Sequence, residues 1–586
     1  MKMIDEIVKE LIYEAQSSDD VRKILSENNF LDRDLWNPIG DDYGNETLIR
    51  SQSPAPELAF GERCINSVDS ILMRKCIENK TDPRGSDAPK SMLEAADIFC
   101  SIPDGKLSKF KGNLASICEI FCTATGREES KLTLNLVDLG EGQTPDYMRR
   151  SFFSLPIGRG SPYKRGIPFV QGRYNQGAGG SYKFSEFTLI VSKRAPSLLT
   201  PKSREIVDQY YDQSKISLAE IYDRKAEWGW TVVKKFPRRN VNEDTWYGYL
   251  APDGKVLSFN ADSLGLIPPE QIPRLPTNLS KKEEQKKLLD LRSQGTHTAY
   301  SRSIEGGTLV KLFDFPLKQA MRGDLWSEGQ REMRSKVFYE LILPIKLTEL
   351  REWGTKIKGK GDSAYLTGLL NSILQKDKDR NILVRHNWPK DETLTIESFG
   401  KKPIKITKWI IDIEKTDTDW LGDTSVIYVL NGQIHFKEKS SYLQRLKLYN
   451  LERSLLVVVN INSIPIDIRD LIFRVDRAHT EEYPEADLLK SEVQKIIRND
   501  EDIRRANDEK FYEKTSDIKI DKKYSERIVK KLAKENPLLF EMLQGTKLPV
   551  MSGAIKLVKL KGEKYRNEKY GKKSPTFFQI KRDKKN

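Results

Sequence analysis

The residues best suited to carry chemistry lie near position 60, where the segment 62–69 reads E-R-C-I-N-S-V-D. Glu62 and Asn66 are four residues apart and Asp69 follows at i+7, so on a helix all three share one face. A general base beside an oxygen ligand for a hard cation suits phosphoryl transfer, in which Mg²⁺ bridges phosphates and a positioned water attacks. Solvated helix faces carry the same spacing, so the pattern alone leaves both interpretations open.

A second motif, Asp138-x-Gly140-x-Gly142, follows directly on a predicted strand. Residues 131–137 alternate with period two, which is typical of a half-buried strand. A carboxylate at the end of a strand can accept a hydrogen bond from an exocyclic amine such as adenine N6, and glycines let a ligand approach the backbone closely. A strand that simply ends in a glycine turn is the alternative.

A glycine-rich segment and a threonine in a later strand complete the set. Gly177, Gly179 and Gly180 can expose backbone N–H groups as an anion nest, although the Gly-Lys-Ser/Thr ending of a Walker A loop is missing. Thr308 lies in G-G-T-L-V-K-L, where its hydroxyl could bridge a base or a water to the acidic site. A surface loop and an ordinary strand threonine are the alternatives.

Taken in order, these four motifs resemble those of the GHKL (Bergerat-fold) ATPases. That superfamily comprises the gyrase B subunit, Hsp-class chaperones, sensor histidine kinases and MutL, with MORC-type proteins as relatives. The resemblance covers roughly residues 50–320. It implies a Bergerat-type domain that binds ATP and Mg²⁺ and hydrolyses ATP.

The resemblance also implies a role for each motif residue. Glu62 is expected to be the general base for water attack on the γ-phosphate, and Asn66 the Mg²⁺ ligand. Asp138 is expected to bind adenine with support from Thr308. The glycines are expected to line the base pocket (Gly140, Gly142) and to form the lid over the phosphates (Gly177, Gly179, Gly180).

The sequence argues against one branch of the superfamily, the sensor histidine kinases. A sensor kinase needs a phospho-accepting histidine on a helical hairpin before the ATP domain. All four histidines lie downstream of the opening helix, at positions 297, 386, 435 and 479. The sensor-kinase interpretation is therefore rejected.

The predicted fold class is α/β, an α+β sandwich in three regions. Residues 1–320 form the ATP-binding domain, with an inserted subdomain near 200–300 because about 130 residues separate the lid glycines from Thr308. Residues 321–480 read as a transducer-like α/β domain. Residues 481–586 read as a charged helical region with a basic C-terminal tail.

The transducer prediction is based on two further likenesses to the gyrase and MutL branch. The segment 429–433, V-L-N-G-Q, is similar to its V-N-G-R strand, and 456–468 is similar to the strand before its phosphate-sensing lysine loop. In place of the lysine this chain offers Arg469, Arg474 and Arg477. An α/β domain with surface arginines is the alternative.

The net charge of +14 is concentrated at the end of the chain. Residues 551–586 contain twelve Lys or Arg and three Asp or Glu, interleaved with Tyr565, Tyr570, Phe577 and Phe578. Lys and Arg side chains attract the phosphate backbone of a nucleic acid, and aromatic rings stack on its bases, so DNA or RNA is one candidate partner. A solvated tail or a docking segment for an acidic protein is the other interpretation.

Composition also excludes several classes. No stretch is apolar enough for a membrane span, and the acidic first 25 residues do not read as a targeting peptide, so a cytoplasmic protein is expected. Five cysteines without a C-x-x-C pair favour buried free thiols over a disulfide framework or a zinc site.

Periodicity predicts the elements that must position these motifs. An amphipathic helix is expected over 1–25 and a second helix over 57–79, with loop at 37–56 between them. Strands are expected at 187–192, 228–233, 247–250, 307–313, 425–430 and 455–461, with Pro252-Asp253-Gly254 as the turn of a hairpin.

The predicted function is that of an ATP-gated clamp. ATP binding orders the lid, two protomers form a homodimer, and hydrolysis reopens it around a nucleic acid. A bacterial defence or DNA-processing system is the association by analogy. The alternative is an ATP-responsive chaperone-like or interaction module with little turnover.

Overall fold

Strands with alternating side chains pair into one mixed sheet of ten strands in the computed structural model of the chain. The structure describes residues 3–126, 132–153, 166–171, 177–201, 227–241, 243–265, 303–323, 325–349, 351, 363–374, 384–412, 424–473 and 483–516. The start of the lid (172–176), Arg474, Arg477 and the basic tail lie outside these residues. The mixed α/β class is confirmed.

Two compact units divide the chain, one formed by 1–439 with 455–492 and the other by 440–454 with 493–586. The strands of the described residues all lie in the first unit. Its large sheet runs in the order β1-β6-β5-β4-β10-β3-β2-β11-β12, with β7 beside β5. The bounds are β1 Trp36–Pro38, β2 Ile120–Thr125, β3 Thr133–Asp138, β4 Phe187–Lys193, β5 Glu227–Phe236, β6 Trp246–Leu250, β7 Leu257–Asn260, β8 Leu264–Gly265, β9 Ser303–Ile304, β10 Gly307–Leu312, β11 Ile345–Glu349 and β12 Ser363–Leu366.

Helices cover both faces of this sheet. In the described part of the chain the α-helices before β4 are α1 Ile4–Lys9, α2 Ser18–Glu27, α3 Glu46–Ser51, α4 Pro56–Glu78, α5 Met92–Cys100 and α6 Pro145–Ser151. Further short helices in the first unit are Lys318–Arg322, Gln330–Lys336, Leu369–Leu374 and Ile466–Ile472. Among the described residues, two longer charged helices follow, Pro484–Asn499 and Glu501–Ser516, and Ser441–Arg445 is a short helix of the second unit.

The helix α4 carries the opening motif. Pro56 is its first residue, where a missing N–H is harmless, and the predicted bounds agree with the observed ones to within a residue. Cys64, Val68 and Leu72 are buried on the side that packs against the sheet. Gly61 leaves room for a neighbouring segment, because a Cβ there would lie 2.3 Å from Val337 Cγ1. The helix is therefore enclosed on more than one side.

The N-terminal segment packs against the opposite face of the sheet. Ile7 and Leu11 join a buried cluster with Leu309 and Phe313 of the β10 region, whereas Val310 lies in the α4 cluster. The expected single helix is wrong in detail: a π turn at 10–14 follows α1, and α2 begins afresh. The break is caused by a capping box at Ser17, whose hydroxyl accepts a hydrogen bond from the Asp20 N–H.

The expected loop at 37–56 is also wrong. Its first residues form β1, which pairs with β6, and its later residues form α3. Asn45 closes this region, since its side chain donates to the carbonyls of Ile39 and Tyr247 and accepts from the Tyr247 N–H. The expected pairing of the strands near 228–233 and 247–250 is confirmed, because β5 and β6 are antiparallel neighbours, and the Pro252–Gly254 turn joins β6 to β7. The polar, turn-forming residues at 37–56 predicted a loop, because sequence composition does not show the pairing of β1 with β6.

A second sheet of five strands follows in the order β13-β14-β17-β15-β16, and it confirms the strands expected at 425–430 and 455–461. The bounds are β13 Lys390–Leu394, β14 Ile404–Ile410, β15 Thr424–Leu430, β16 Gln433–Lys439 and β17 Leu455–Asn460. Asn431 and Gly432 join β15 to β16 with φ of 46° and 82°, which suits a tight hairpin. The Val337 carbonyl accepts from the Ile434 N–H at 2.8 Å, so the segment that packs against Gly61 also holds β16.

Lys311 ties the N-terminal segment to the sheet. It lies on β10 facing that segment, is buried, and donates through Nζ to the carbonyls of Leu11 at 3.2 Å and Ile12 at 2.7 Å. Burial disfavours its charged form and lowers the pKa of Lys311 to about 7. The amine that holds the N-terminal segment therefore changes its charge near neutral pH.

We expect the pH dependence of stability to report this amine. Because folding lowers the pKa of Lys311, the unfolded chain binds more protons between about pH 7 and 10, and stability contributed by this site rises with pH over that range. The Lys311→Met variant should lack this rise, which amounts to about 1.4 kcal/mol per unit of pKa change. Urea unfolding at pH 7, 8 and 9 measures it, with the exposed Lys23→Met as control; identical pH slopes for Lys311→Met and wild type would contradict the assignment.

Candidate functional site

The opening motif lies on α4 as predicted, and its members differ in exposure. Glu62 and Asp69 are buried, at 6% and 0% exposure. Asn66, one turn after Glu62, is half-buried, and its side chain forms no hydrogen bond or ion pair with another described residue. A carboxamide oxygen that stays available beside a buried carboxylate is what the predicted Mg²⁺ site requires.

Glu62 and Asp69 are joined by a network of amides. Gln433, the first residue of β16, donates through Nε2 to Glu62 Oε1 at 3.1 Å. Gln171 donates from Nε2 to Gln433 Oε1 at 2.7 Å, and its backbone N–H donates to Asp69 Oδ1 at 2.9 Å. The ring Nε2 of His435 lies 3.4 Å from the same Gln171 amide. The second sheet thus reaches the candidate general base through one side chain.

Asp138 ends β3 on the face that α4 covers. Its Oδ2 accepts from the Ser67 hydroxyl and its Oδ1 from the Gly140 N–H, each at 3.0 Å. Burial raises the pKa of this carboxyl to about 7, although both hydrogen bonds and Arg74 favour the ionised form. Two hydrogen bonds leave acceptor capacity on the carboxylate oxygens. Asp138 can therefore accept from a further amine.

Contacts within the protein account for both glycines after Asp138. A Cβ on Gly140 would lie 2.1 Å from Ser70 Oγ, which also accepts from the Glu141 N–H at 3.0 Å. Gly142 has a φ of 59°, and a Cβ there would lie 1.8 Å from the Lys193 carbonyl oxygen. Both positions need glycine for close packing of the chain. Their expected role in lining a base pocket stays a prediction.

Thr308 stands directly opposite Asp138 in the antiparallel pairing of β10 with β3. Its Oγ1 lies 3.0 Å from Ser192 Oγ on the other neighbouring strand, β4. The Ser192 hydroxyl also accepts from the Gln143 N–H at 2.9 Å and lies 3.1 Å from the Gly307 carbonyl. The structure therefore brings together Asp138 and Thr308, which are 170 positions apart in the sequence.

The described part of the lid packs on the start of α4. Residues Gly177–Lys183 form a 3₁₀ turn, and the Lys183 Nζ donates to the Gln52 carbonyl at 2.6 Å. A Cβ on Gly179 would lie 2.4 Å from Gln52 Oε1, and one on Gly180 would lie 2.9 Å from Ser53 Oγ. These glycines allow the turn to close on the protein, and their expected contact with phosphates stays a prediction.

Sequence reasoning missed a polar stripe on α4. Arg63, Ser67 and Ser70 recur at i, i+4 and i+7, and the two serines contact Asp138 and the turn after it. Applying the same i, i+4, i+7 spacing from Arg63, one residue after Glu62, would have found this stripe. The Gln433 contact carries no such signal, because 371 positions separate Gln433 from Glu62.

The donor set allows Mg²⁺ but does not enclose it. No group of three or more His, Cys, Asp or Glu side chains is placed to hold a metal among the residues that the structure describes. Mg²⁺ commonly takes one or two protein oxygens and completes its octahedron with water and phosphate. Asn66 beside Glu62 fits that pattern, and the other ligands would come from nucleotide and solvent.

The remaining parts of the prediction are less informative. Arg469 lies in the helix Ile466–Ile472 after β17, and the other two candidate arginines lie outside the described residues. All five cysteines are buried free thiols, as expected. Across the described residues, no helix is both long and apolar enough to cross a membrane.

Comparison with known proteins adds no assignment. No family model matches the chain, and no curated protein matches it either. The GHKL resemblance stays a prediction that the geometry above must support.

We expect the amides of Gln171 and Gln433 to be energetically coupled. Replacing Gln433 with Ala leaves the buried Glu62 carboxylate without this donor, which should cost about 1–3 kcal/mol of stability. A double-mutant cycle of Gln171→Ala and Gln433→Ala should show a coupling of about 0.5–1.5 kcal/mol. Denaturant unfolding of the four proteins measures it, and additive effects would show that the two amides do not interact in solution.

Proposed function

We propose that this protein is a GHKL-type ATPase that binds ATP with Mg²⁺ and acts as an ATP-gated dimerising clamp on nucleic acid. One observation carries the proposal: the hydrogen bond from Ser67 to Asp138 joins the helix that bears Glu62 and Asn66 to the strand ends that bear Asp138 and Thr308. Three of the four motifs, which are distant in sequence, thereby meet at one end of the sheet.

Each residue has a task in this proposal that its surroundings support. Asp138 accepts the adenine N6 amine with the acceptor capacity that Ser67 and Gly140 leave, and Thr308 stands beside it. Asn66 supplies the protein oxygen to Mg²⁺, which when bound neutralises phosphate charge. Glu62 removes the proton of the attacking water, and the Gln433 amide orients its carboxylate.

The clamp part of the proposal draws on the connection between the two sheets. Because Gln433 begins β16 and donates to Glu62, a change at the nucleotide can be transmitted to the second sheet through the Gln433 side chain. Gln171, the residue directly before the lid, donates to Gln433 and so extends this connection to the lid. Homodimer formation and nucleic-acid binding by the basic tail complete the proposal by analogy with the family.

A second candidate function is an ATP-responsive interaction module with little turnover. The same contact favours it, since the Gln433 amide already occupies one oxygen of Glu62. A carboxylate held in this way is a weaker base until the amide moves. The rate of ATP turnover separates the two functions.

We expect Glu62→Gln to abolish ATP hydrolysis while ATP binding persists. General bases contribute about 10²–10⁴-fold to rate, and the substitution removes the base while keeping shape and a hydrogen-bonding oxygen. Steady-state phosphate release and equilibrium binding are the measurements. Glu57→Gln on the same helix, which breaks an ion pair with Lys336, is the matched control. Undiminished turnover in Glu62→Gln would refute the base assignment.

We expect Asp138→Asn to lose adenosine binding and its pH dependence. The pKa of Asp138 is raised to about 7, so the fraction ionised, and with it the affinity for adenosine, should rise between pH 6 and 8. Adenosine is the probe because it carries no phosphate that titrates in this range. The exposed Asp97→Asn should behave as wild type. Unchanged adenosine affinity in Asp138→Asn would remove the adenine role.

A further inference from the structure

Arg63 is a buried cation that pairs with no carboxylate among the residues that the structure describes. It is 4% exposed, and its Nε donates to Ser181 Oγ at 2.9 Å. The guanidinium carbon lies 4.9 Å from the centre of the Tyr182 ring. Nη2 makes no hydrogen bond, and within the described residues no carboxylate pairs with this side chain. A buried charge without a counter-ion is costly, so the site as it stands is incomplete.

The other buried arginines of the described chain each form an ion pair with a glutamate. Arg194 pairs with Glu141 at 3.1 Å, and Arg351 pairs with Glu349 at 2.7 Å. Both pairs are buried, so each guanidinium has its charge balanced locally. Among the described residues Arg63 departs from this pattern, so its guanidinium is placed to pair with the negative charge of a bound molecule.

The surroundings of Arg63 favour a polar ligand. Tyr182 belongs to the 3₁₀ turn Gly177–Lys183, and Gln52 packs against that turn. Both side chains are buried, and within the described residues the Gln52 amide and the Tyr182 hydroxyl have no hydrogen-bond partner. Ser67, one helical turn after Arg63, contacts Asp138. One turn is about 5.4 Å along the axis, so Arg63 lies between the lid and the proposed adenine contact.

We propose that Arg63, together with Ser181, forms an oxyanion site that binds a phosphate group of the nucleotide. The placement on a nucleotide rests on the proposed function, whereas the need for an anion does not. A guanidinium presents its N–H donors as a planar fork that matches two phosphate oxygens. The site adds a buried cation to the lid, which supplies backbone N–H groups alone in the family-based prediction.

The test compares ligands with and without phosphate. Arg63→Met keeps an unbranched side chain and removes the charge, Arg63→Lys keeps the charge without the fork, and the exposed Arg22→Met is the charge-matched control. Equilibrium binding of ATP, adenosine and pyrophosphate is measured for each, and the melting temperature is recorded with and without pyrophosphate.

We expect Arg63→Met to weaken ATP and pyrophosphate binding by about tenfold to a hundredfold, the size of one or two charge-assisted hydrogen bonds. Adenosine affinity should stay within about twofold, Arg63→Lys should be intermediate, and Arg22→Met should match wild type. Pyrophosphate should raise the melting temperature of wild type and not of Arg63→Met. A purely structural arginine would change stability but not this ligand response.

Different failures are distinguishable. Equal ATP and pyrophosphate affinities in wild type and Arg63→Met, with adenosine binding that depends on Asp138, would overturn the oxyanion site and leave the proposed function standing. Arg63-dependent pyrophosphate binding without adenosine binding would support the oxyanion site and contradict the proposed function. Should Arg63→Met fail to fold, Arg63→Lys and Ser181→Ala carry the same comparison.

Discussion

The candidate site depends on a single cross-strand arrangement at one end of the large sheet. Asp138 and Thr308 face each other on β3 and β10, and Ser67 fastens α4 over them. Each partner is buried, so the carboxylate keeps its position only because the Ser67 hydroxyl and the Gly140 amide replace water as its donors. The register of two strands therefore decides where the helix and all its functional side chains lie.

The second sheet is tied to this arrangement at two levels. Gly61 lets the segment through Val337 pack closely on α4, and that segment holds the edge strand β16 by backbone hydrogen bonds. Gln433 then reaches Glu62 from the first position of the strand. Packing sets the distance between α4 and β16, and the Gln433 amide orients the Glu62 carboxylate, so the candidate general base is positioned by a part of the chain remote in sequence.

Local sequence patterns predicted the features that depend on neighbouring residues, namely the bounds of α4 and the facing of strand residues. The bounds of α4 follow from Pro56 and the apolar period, and the alternation in β3 and β10 places Asp138 and Thr308 on the α4 face. The β1 strand was missed because turn residues surround it and its partner β6 lies more than 200 positions away. The sequence does not show that Arg63 lacks a carboxylate partner among the described residues, since this depends on which carboxylates the fold brings near.

The pairing of β2 with β11 has a consequence for how the chain acquires its structure. These parallel strands are joined in register from Ile120 with Ile345, and β10 enters between β3 and β4. A ribosome must therefore synthesise about 310 residues before β10 can fill the centre of the sheet, and about 350 before β11 can pair with β2. Until then β2, β3 and β4 have open edges, and such edges favour pairing with other chains. High contact order of this kind predicts slow folding and a need for protection by chaperones during synthesis.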